Sequence, residues 1–158
     1  MNTFSRRMLL VAGLALASIT PARAEDILLT IETASGQEEH FDRERLLALP
    51  QHELVTHTSV TDGVQTFTGP FMRDLLAEAG VTAETLTAIA LNDYQIELPA
   101  EDFTRYDVVA ALEMNGETLT PRDKGPIWIV YPRDEFVELQ DIYYDYRWVW
   151  QLVRLEEQ

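Results

Sequence analysis

The chain has 158 residues, a formal net charge of −15 and no cysteine. So acidic a surface repels nucleic acid and anionic lipid, so neither is expected as a partner. The charge either keeps the surface soluble or recognises a basic partner. The missing cysteines exclude thiol nucleophiles, zinc–thiolate sites, iron–sulfur clusters and thiolate ligands to heavier metals.

The first 24 residues have the organisation of a signal peptide. Arg6 and Arg7 precede an apolar run at residues 8–19, and an Ala22-Arg23-Ala24 cleavage site follows. The run is shorter than the about 20 residues that cross a bilayer. The paired arginines also resemble a twin-arginine signal, so the general (Sec) and twin-arginine export routes both stay open. Cleavage after Ala24 would leave one periplasmic domain, residues 25–158, with 9 basic and 27 acidic residues and a net charge of −18.

The first half of this domain alternates short strands with short helices. Asp42 is a predicted cap for a short helix that Pro50 stops, and the helical spacing of Phe71, Leu75, Leu76 and Ala79 before Gly80 predicts a second helix. Strands are predicted at residues 27–31, 54–58 and 64–68, the last two forming a hairpin around Thr61-Asp62-Gly63.

The second half is richer in strands. Pro99 is expected to open a short helix that carries Phe103 and Tyr106. Strands are predicted at residues 88–91, 94–98, 108–114, 117–119, 127–131 and 148–155, with Asn115-Gly116 as a tight hairpin turn. Because strands and helices do not alternate as βαβ units, the class is α+β: one domain of mixed sheets of short strands with short helices.

Few residue patterns indicate chemistry. His40, His52 and His57 lack the helical pairing or companion carboxylate of a metal site, and no metal is predicted. His57 and Ser59 fall on one face of a predicted strand, which allows a serine nucleophile with a histidine base, but no nucleophile elbow surrounds Ser59. The aromatic residues between 143 and 150 belong either to the core or to a stacking or protein-contact surface.

Two segments could bind a small polar ligand. In residues 122–126 a basic pair, Arg122 and Lys124, flanks Asp123 and precedes Gly125, whose missing side chain lets backbone approach a ligand closely. In Asn92-Asp93-Tyr94 a carboxylate stands beside an aromatic ring, which suits the donor edge of a stacked heterocycle. A solvated turn and an Asx turn are the plainer interpretations of the two segments.

From about Leu47 to Leu155 the sequence resembles the molybdopterin-binding domain of the sulfite oxidase type. The resemblance is carried by a series of short motifs in the expected order: Leu49-Pro50, the Val55-Thr56 strand, Phe67-Thr68-Gly69-Pro70, Met72-Arg73-Asp74-Leu75-Leu76, Ala79-Gly80, Leu98-Pro99, Asn115-Gly116, Lys124-Gly125-Pro126 and Trp148-Val149-Trp150-Gln151-Leu152. It implies a sulfite-oxidase-like fold and a pterin-type cofactor.

The resemblance also implies a molybdenum-ligating cysteine shortly after the Val55-Thr56 strand, where this sequence has Thr58 and Ser59. A hydroxyl does not replace a soft thiolate at a redox metal. The sequence is closest to a cysteine-less branch of the family that binds a reduced pterin in the periplasm and signals to a membrane-bound cyclic-di-GMP enzyme. That similarity lies in residues 90–94 and 122–132.

The expected function is therefore non-catalytic pterin binding, with no catalytic residues. The predicted ligand contacts are Thr58, Ser59, Asn92, Asp93, Tyr94, Arg122, Lys124, Gly125 and Trp128. In this assignment Asp93 meets the pterin edge, Tyr94 or Trp128 stacks, Arg122 and Lys124 meet carbonyl oxygens, and the hydroxyls occupy the vacated metal site. The alternatives are a molybdopterin-dependent oxidoreductase and a protein-interaction module without a small ligand.

Overall fold

A computed structural model describes residues 27–158, so the predicted signal peptide lies outside the described residues. The domain is α+β as predicted, with eleven short strands and four short helices in this part of the chain. None of the helices within residues 27–158 is both long enough and apolar enough to span a membrane.

The largest sheet has five strands in the order β2-β1-β11-β5-β6. Its central strand is β11, Leu152–Glu157, which runs parallel to β1, Ile27–Glu32, and antiparallel to β5, Thr85–Ala90. The edge strands are β2, Glu38–Asp42, and β6, Gln95–Pro99. Leu29 and Ile31 alternate with more exposed residues along β1, so one face of the sheet packs into the core.

The second sheet has four strands in the order β3-β4-β8-β9. Its hairpins match the sequence prediction: β3 and β4 pair along their whole length, and Asn115-Gly116 turns the chain at φ 53° and 78°. The strands are β3, Gln51–His57, β4, Val64–Pro70, β8, Glu113–Met114, and β9, Glu117–Thr118.

A buried two-stranded ladder joins β7, Val109–Ala111, to β10, Trp128–Val130. Strand β7 packs closely against β4 because Gly69 has no side chain: a Cβ there would lie 2.0 Å from the carbonyl oxygen of Ala110. The Phe-x-Gly motif of the sequence therefore marks a contact between two strands.

The helices are short, and the first three lie where the sequence predicts them, whereas the fourth and the 3₁₀ turn before it were not predicted. Asp42 caps α1, Arg43–Ala48, by accepting a hydrogen bond from the Arg45 N–H, as predicted. Gly80 follows α2, Met72–Glu78, at φ 73°. The others are α3, Glu101–Arg105, a 3₁₀ turn, Val137–Gln140, and α4, Ile142–Asp145.

Three strand predictions need correction. The single strand predicted over residues 108–114 is divided into β7 and β8, which belong to different sheets. The last strand begins at Leu152, four residues later than predicted, since Gln151 adopts φ 56° and interrupts the extended chain. Strand β2 was not predicted because its sequence, Glu-Glu-His-Phe-Asp, is mostly charged and only Phe41 is buried.

Candidate functional site

Strand pairing brings together the segments that form the candidate site. Because Leu152 of β11 lies opposite Ala90 of β5, the residues before Leu152 run beside the turn that follows Ala90. The Leu91 N–H donates to the carbonyl of Gln151 at 2.9 Å. The Leu152 N–H donates to the carbonyl of Ile127, which draws the start of β10 to the same place.

The turn between β5 and β6 forms one wall of the site. Asp93 sits at its tip with φ 63°, and the Asn92 side chain accepts a hydrogen bond from the Tyr94 N–H at 3.2 Å. The Tyr94 hydroxyl then donates to the carbonyl of Tyr146 at 3.0 Å, fixing the turn against the opposite wall. Between the walls lies an aromatic cleft of about 200 Å³, lined by Ala90, Asn92, Tyr94, Asp145, Tyr146, Trp148, Val149 and Trp150.

Three tryptophans lie together at the aromatic cleft. The Trp128 ring is fully buried and makes edge contacts with Trp148 and Trp150 at centroid distances of 6.2 and 6.5 Å. The indole N–H groups of Trp128 and Trp148 are buried and have no hydrogen-bond partner within the described structure. A buried donor without a partner costs about 1–3 kcal/mol, so each of these N–H groups would be stabilised by donating to a ligand oxygen that reached it.

Lys124 is the only lysine of the chain and lies between two of these rings. Its Nζ is 5.4 Å from the centroid of Trp128 and 5.1 Å from that of Trp150, within the range of a cation–π contact. Its carbonyl accepts from the Gln151 N–H at 2.8 Å, which holds the Lys124 backbone beside the aromatic cleft. Lys124 thus contributes a positive charge at the edge of an aromatic surface.

Lys124 also lines a second cavity of about 490 Å³, the basic cleft. Its lining residues are Thr61, Met114, Glu117, Thr118, Leu119, Arg122, Asp123 and Lys124. Seven of the nine cationic side chains in residues 27–158 have a carboxylate within 4.0 Å; over the same range Arg122 and Lys124 have none. In so acidic a protein, two unpaired cations in one cleft favour a ligand with acceptor or anionic oxygens.

The predicted site residues divide between the two clefts. Asn92 and Tyr94 line the aromatic cleft, while Arg122 and Lys124 line the basic cleft, and Lys124 connects the two through Trp128 and Trp150. Asp93 is exposed at the turn and does not line the aromatic cleft, although both its neighbours do. Its contact with a ligand stays a prediction.

The remaining predicted residues are less accessible or more distant. Thr58 is buried in its own loop, where its Oγ1 lies 2.7 Å from that of Thr61 and accepts from the Val60 N–H, whereas Ser59 is exposed and lines neither cleft. Gly125 is buried, and a Cβ there would lie 2.4–2.6 Å from backbone atoms of residues 119–120. The close approach at Gly125 is therefore to the protein's own backbone.

Sequence reasoning missed the residues that hold the site together. Gln151 bridges its two sides: its amide side chain donates to the carbonyls of Pro121 and Asp123, and its backbone bonds Leu91 and Lys124. The family motif and the predicted last strand both include Trp148, Trp150 and Gln151, but neither assigns them a place in the site. No local signal marks Gln151, since its left-handed φ is imposed by the two loops that it joins.

The serine–histidine alternative finds no support in this geometry. His57 Nδ1 lies 2.9 Å from Asp134 Oδ2, which also accepts from the His57 backbone N–H, and Ser59 makes no hydrogen bond with His57 in the described structure. Burial raises the pKa of Asp134, but these two hydrogen bonds outweigh it and lower the pKa below its ordinary value. The pair ties β3 to the loop after β10.

The donors of the described region do not make a metal centre. Within residues 27–158, no three His, Cys, Asp or Glu side chains converge in an arrangement that could hold a metal ion. The cysteine ligand implied by the family resemblance is missing from the sequence. The side chains around the clefts offer aromatic rings and hydrogen-bond donors that suit the organic part of a pterin-type cofactor.

A larger cavity, about 630 Å³, lies elsewhere, between the start of β1, the start of α1 and the segment before β10. It is open and mostly apolar, and its one cation, Arg43, is already engaged by Thr118 and Glu113. The two smaller clefts combine aromatic rings with unpaired cations, so they are the better candidate site.

The class of this α+β domain follows from comparison of its sequence with known families. The chain belongs to the oxidoreductase molybdopterin binding domain family, whose sequence profile matches residues 16–138. Among solved structures it is similar to the sulfane dehydrogenase SoxCD of Paracoccus pantotrophus, with a TM-score of 0.64 and 22% sequence identity. The match covers 87% of this chain and 39% of the SoxCD chain. No curated protein sequence matches significantly. These findings confirm the sulfite-oxidase-like fold.

Proposed function

We propose that this domain binds a reduced pterin without molybdenum and performs no redox chemistry. The observation that carries the proposal is Lys124, a cation that has no carboxylate within 4.0 Å in residues 27–158 and lies against Trp128 and Trp150, in a family fold that here has no cysteine. Its position unites the two recognition elements that a flat heterocycle with a carbonyl requires, an aromatic surface and a donor.

The aromatic cleft suits the size and chemistry of the pterin ring. Its volume of about 200 Å³ is below the about 300–1,000 Å³ typical of drug-sized ligands, so it holds a small group. Tyr94 and Trp150 are partly exposed and can stack, whereas Trp128 can do so only if Lys124 is displaced. Asn92 and Asp145 provide acceptors for the amino-pyrimidinone edge, and the carboxylate of Asp93, in the turn between Asn92 and Tyr94, is the further acceptor that we expect to meet this edge.

Binding of tetrahydrobiopterin to the purified chain tests the proposal. Replacing Lys124 with Gln removes a charged donor worth about 1.5–3 kcal/mol, so affinity should fall about 10- to 100-fold, and Trp150→Ala should weaken it similarly. Arg73→Gln, which changes a cation that is paired with Asp107 and lines neither cleft, is the matched control and should leave affinity unchanged. Unchanged affinity in Lys124→Gln, or no binding to the wild type, would refute the proposal.

A molybdopterin-dependent oxidoreductase is the second candidate, and the basic cleft favours it. Molybdopterin carries a phosphate, which Arg122 and Lys124 could bind. Metal content separates the two: protein purified from cells that make the cofactor would carry about one molybdenum per chain in the oxidoreductase and none in the pterin-binding domain. Mass spectrometry of the co-purifying small molecule identifies the ligand in the same sample.

We further propose that the domain is exported to the periplasm and relays ligand binding to a membrane-bound cyclic-di-GMP enzyme. The predicted signal peptide and the similarity of residues 90–94 and 122–132 to the periplasmic branch support this role. Fractionation after expression with the native leader tests the location. Cyclic-di-GMP levels in cells with and without the gene, at matched pterin supply, test the relay, and equal levels would refute it.

A further inference from the structure

Four apolar or aromatic side chains form an exposed surface around α4. Val137, Ile142, Tyr143 and Tyr146 are 80, 62, 76 and 58% exposed. Ile142 and Tyr146 are four residues apart and Tyr143 and Tyr146 are three apart, so the three share one helical face. The 3₁₀ turn that packs against α4 contributes Val137. We call these four residues the α4 surface.

The fold does not need the side chains of Val137, Ile142 and Tyr143, while Tyr146 also lines the aromatic cleft. Helix α4 is fixed from its other side, where the Tyr144 ring packs edge-on against Tyr106 and Tyr131 at centroid distances of 6.2 Å. Its first turn is capped by Asp141, whose side chain accepts from the Tyr143 N–H. Contiguous exposed apolar side chains without a packing role mark interaction sites on soluble proteins.

The charges around the α4 surface have one sign. Residues 134–146 contain five carboxylates, Asp134, Glu135, Glu138, Asp141 and Asp145, and no cationic side chain. The arginines on either side point inward: Arg133 bonds Asp145 and the carbonyls of Leu139 and Gln140, and Arg147 bonds the buried Asp102. Arg105, paired with Glu138 at 3.0 Å, and Arg133, paired with Asp145, each offset one charge, which leaves Glu135 and Asp141 without a Lys, Arg or His partner within 4.0 Å in residues 27–158.

We infer that the α4 surface binds a segment of a partner protein that combines lysine or arginine with apolar side chains. Apolar anchors would cover Ile142, Tyr143 and Val137, while the cations would meet the surrounding carboxylates. A second copy of this chain would bring the same carboxylates together, and anionic lipid would be repelled, so both are disfavoured. The inference rests on the proposed function only in that it requires a protein partner.

Photo-crosslinking from within the α4 surface tests the inference. The full chain, with benzoylphenylalanine at position 143, is expressed in cells of the source organism and irradiated; the control carries it at Val55, which is 52% exposed on β3. We expect a discrete crosslink from position 143 alone, and peptide mapping should place it in a basic, apolar segment. No crosslink, a crosslink to a second copy or to lipid, or the same product from position 55 would overturn the inference.

The purified complex gives a second readout. Ile142→Ser should weaken binding of the crosslinked partner at least 10-fold, Val55→Ser should not, and added salt should weaken the wild-type complex. Tetrahydrobiopterin binding is measured on the same variants. Because Ile142 does not line the aromatic cleft, Ile142→Ser should leave this binding unchanged. If Ile142→Ser binds the partner normally, the assignment of the α4 surface as the partner-binding site is wrong, even if pterin binding is confirmed. If pterin binding alone fails, only the ligand proposal is refuted.

Discussion

Replacing Asp102 with Asn tests whether one buried ion pair holds the aromatic wall of the site. Asp102 is 6% exposed and accepts hydrogen bonds from the Tyr131 hydroxyl at 3.0 Å and from Arg147 Nη1 at 2.5 Å. Burial and the neighbouring Asp102 carboxylate raise the pKa of Tyr131 well above its ordinary value, so the phenol remains a donor at all working pH values. Arg147 lies between Tyr146 and Trp148, which both line the aromatic cleft.

The expected loss of stability in Asp102→Asn follows from how deeply Asp102 and Arg147 are buried. Removing one member of a fully buried pair costs about 3–5 kcal/mol, because the other charge is left uncompensated. The Arg147 side chain is 26% exposed and also lies over the Tyr144 ring, so part of its charge stays solvated. We therefore expect Asp102→Asn to lower the free energy of unfolding by about 2–3 kcal/mol, and the melting temperature by about 8–12 °C.

Urea unfolding at pH 7, followed by circular dichroism, measures this change. Asp107→Asn is the matched control: Asp107 pairs with Arg73 at 2.5 Å but is 59% exposed, so its loss should cost at most about 0.5 kcal/mol. Asp102→Asn should also weaken pterin binding, since the wall that Arg147 holds would loosen. A cost for Asp102→Asn no larger than that for Asp107→Asn would refute the reasoning.

Two further changes test the fold and its pH dependence. Gly69→Ala places a Cβ 2.0 Å from the Ala110 carbonyl oxygen and should lower the free energy of unfolding, measured in urea, by at least about 3 kcal/mol. The control Gly36→Ala has open space at φ 77° and should lower it by about 1–2 kcal/mol. Equal losses would contradict the close packing of β4 on β7. Glu157 accepts backbone hydrogen bonds from Ala34, Thr82 and Ala83, which lower the pKa of its carboxyl below the ordinary 4.5. The stabilisation by Glu157 is present above pH 4.5 and is lost as the pH falls through the lower, folded-state pKa. Glu157→Gln should therefore be less stable than the wild type at pH 7 but lose less stability on acidification. Parallel profiles of the free energy of unfolding from pH 7 to 3 would contradict this expectation.

The sequence predicted those parts of the fold that are specified locally. Asn115-Gly116 adopts the positive φ values of a tight hairpin turn, and Asp42 caps α1, because both signals act within a few residues. The central pairing of β11 with β1 and β5 joins segments more than 60 residues apart and leaves no local signal. Gln151 is an example: the residues around it have a high propensity for strand, so a strand is predicted through it, but long-range contacts interrupt that strand.

The candidate site could be predicted in residue type but not in arrangement. Basic and aromatic residues were expected to bind the ligand, and Lys124 lies against Trp128 in the structure. In the structure Trp128 is fully buried, and Trp150 provides the exposed ring in its place. Both features depend on how β10 and the segment before β11 meet. Burial of a particular tryptophan cannot be deduced from its position in a strand.

The charge of the whole chain bears on which ligand the clefts hold. A net charge of −15 repels anions over distances of about the Debye length, about 8 Å at physiological salt, while Arg122 and Lys124 attract them only locally. A neutral reduced pterin meets no such repulsion, whereas the phosphate of molybdopterin does. The association rate of tetrahydrobiopterin, followed by stopped-flow fluorescence, should therefore change less than about twofold between 20 and 200 mM salt. A steep fall with added salt would mean that the basic cleft attracts an anion at long range, and would favour the phosphate-bearing cofactor.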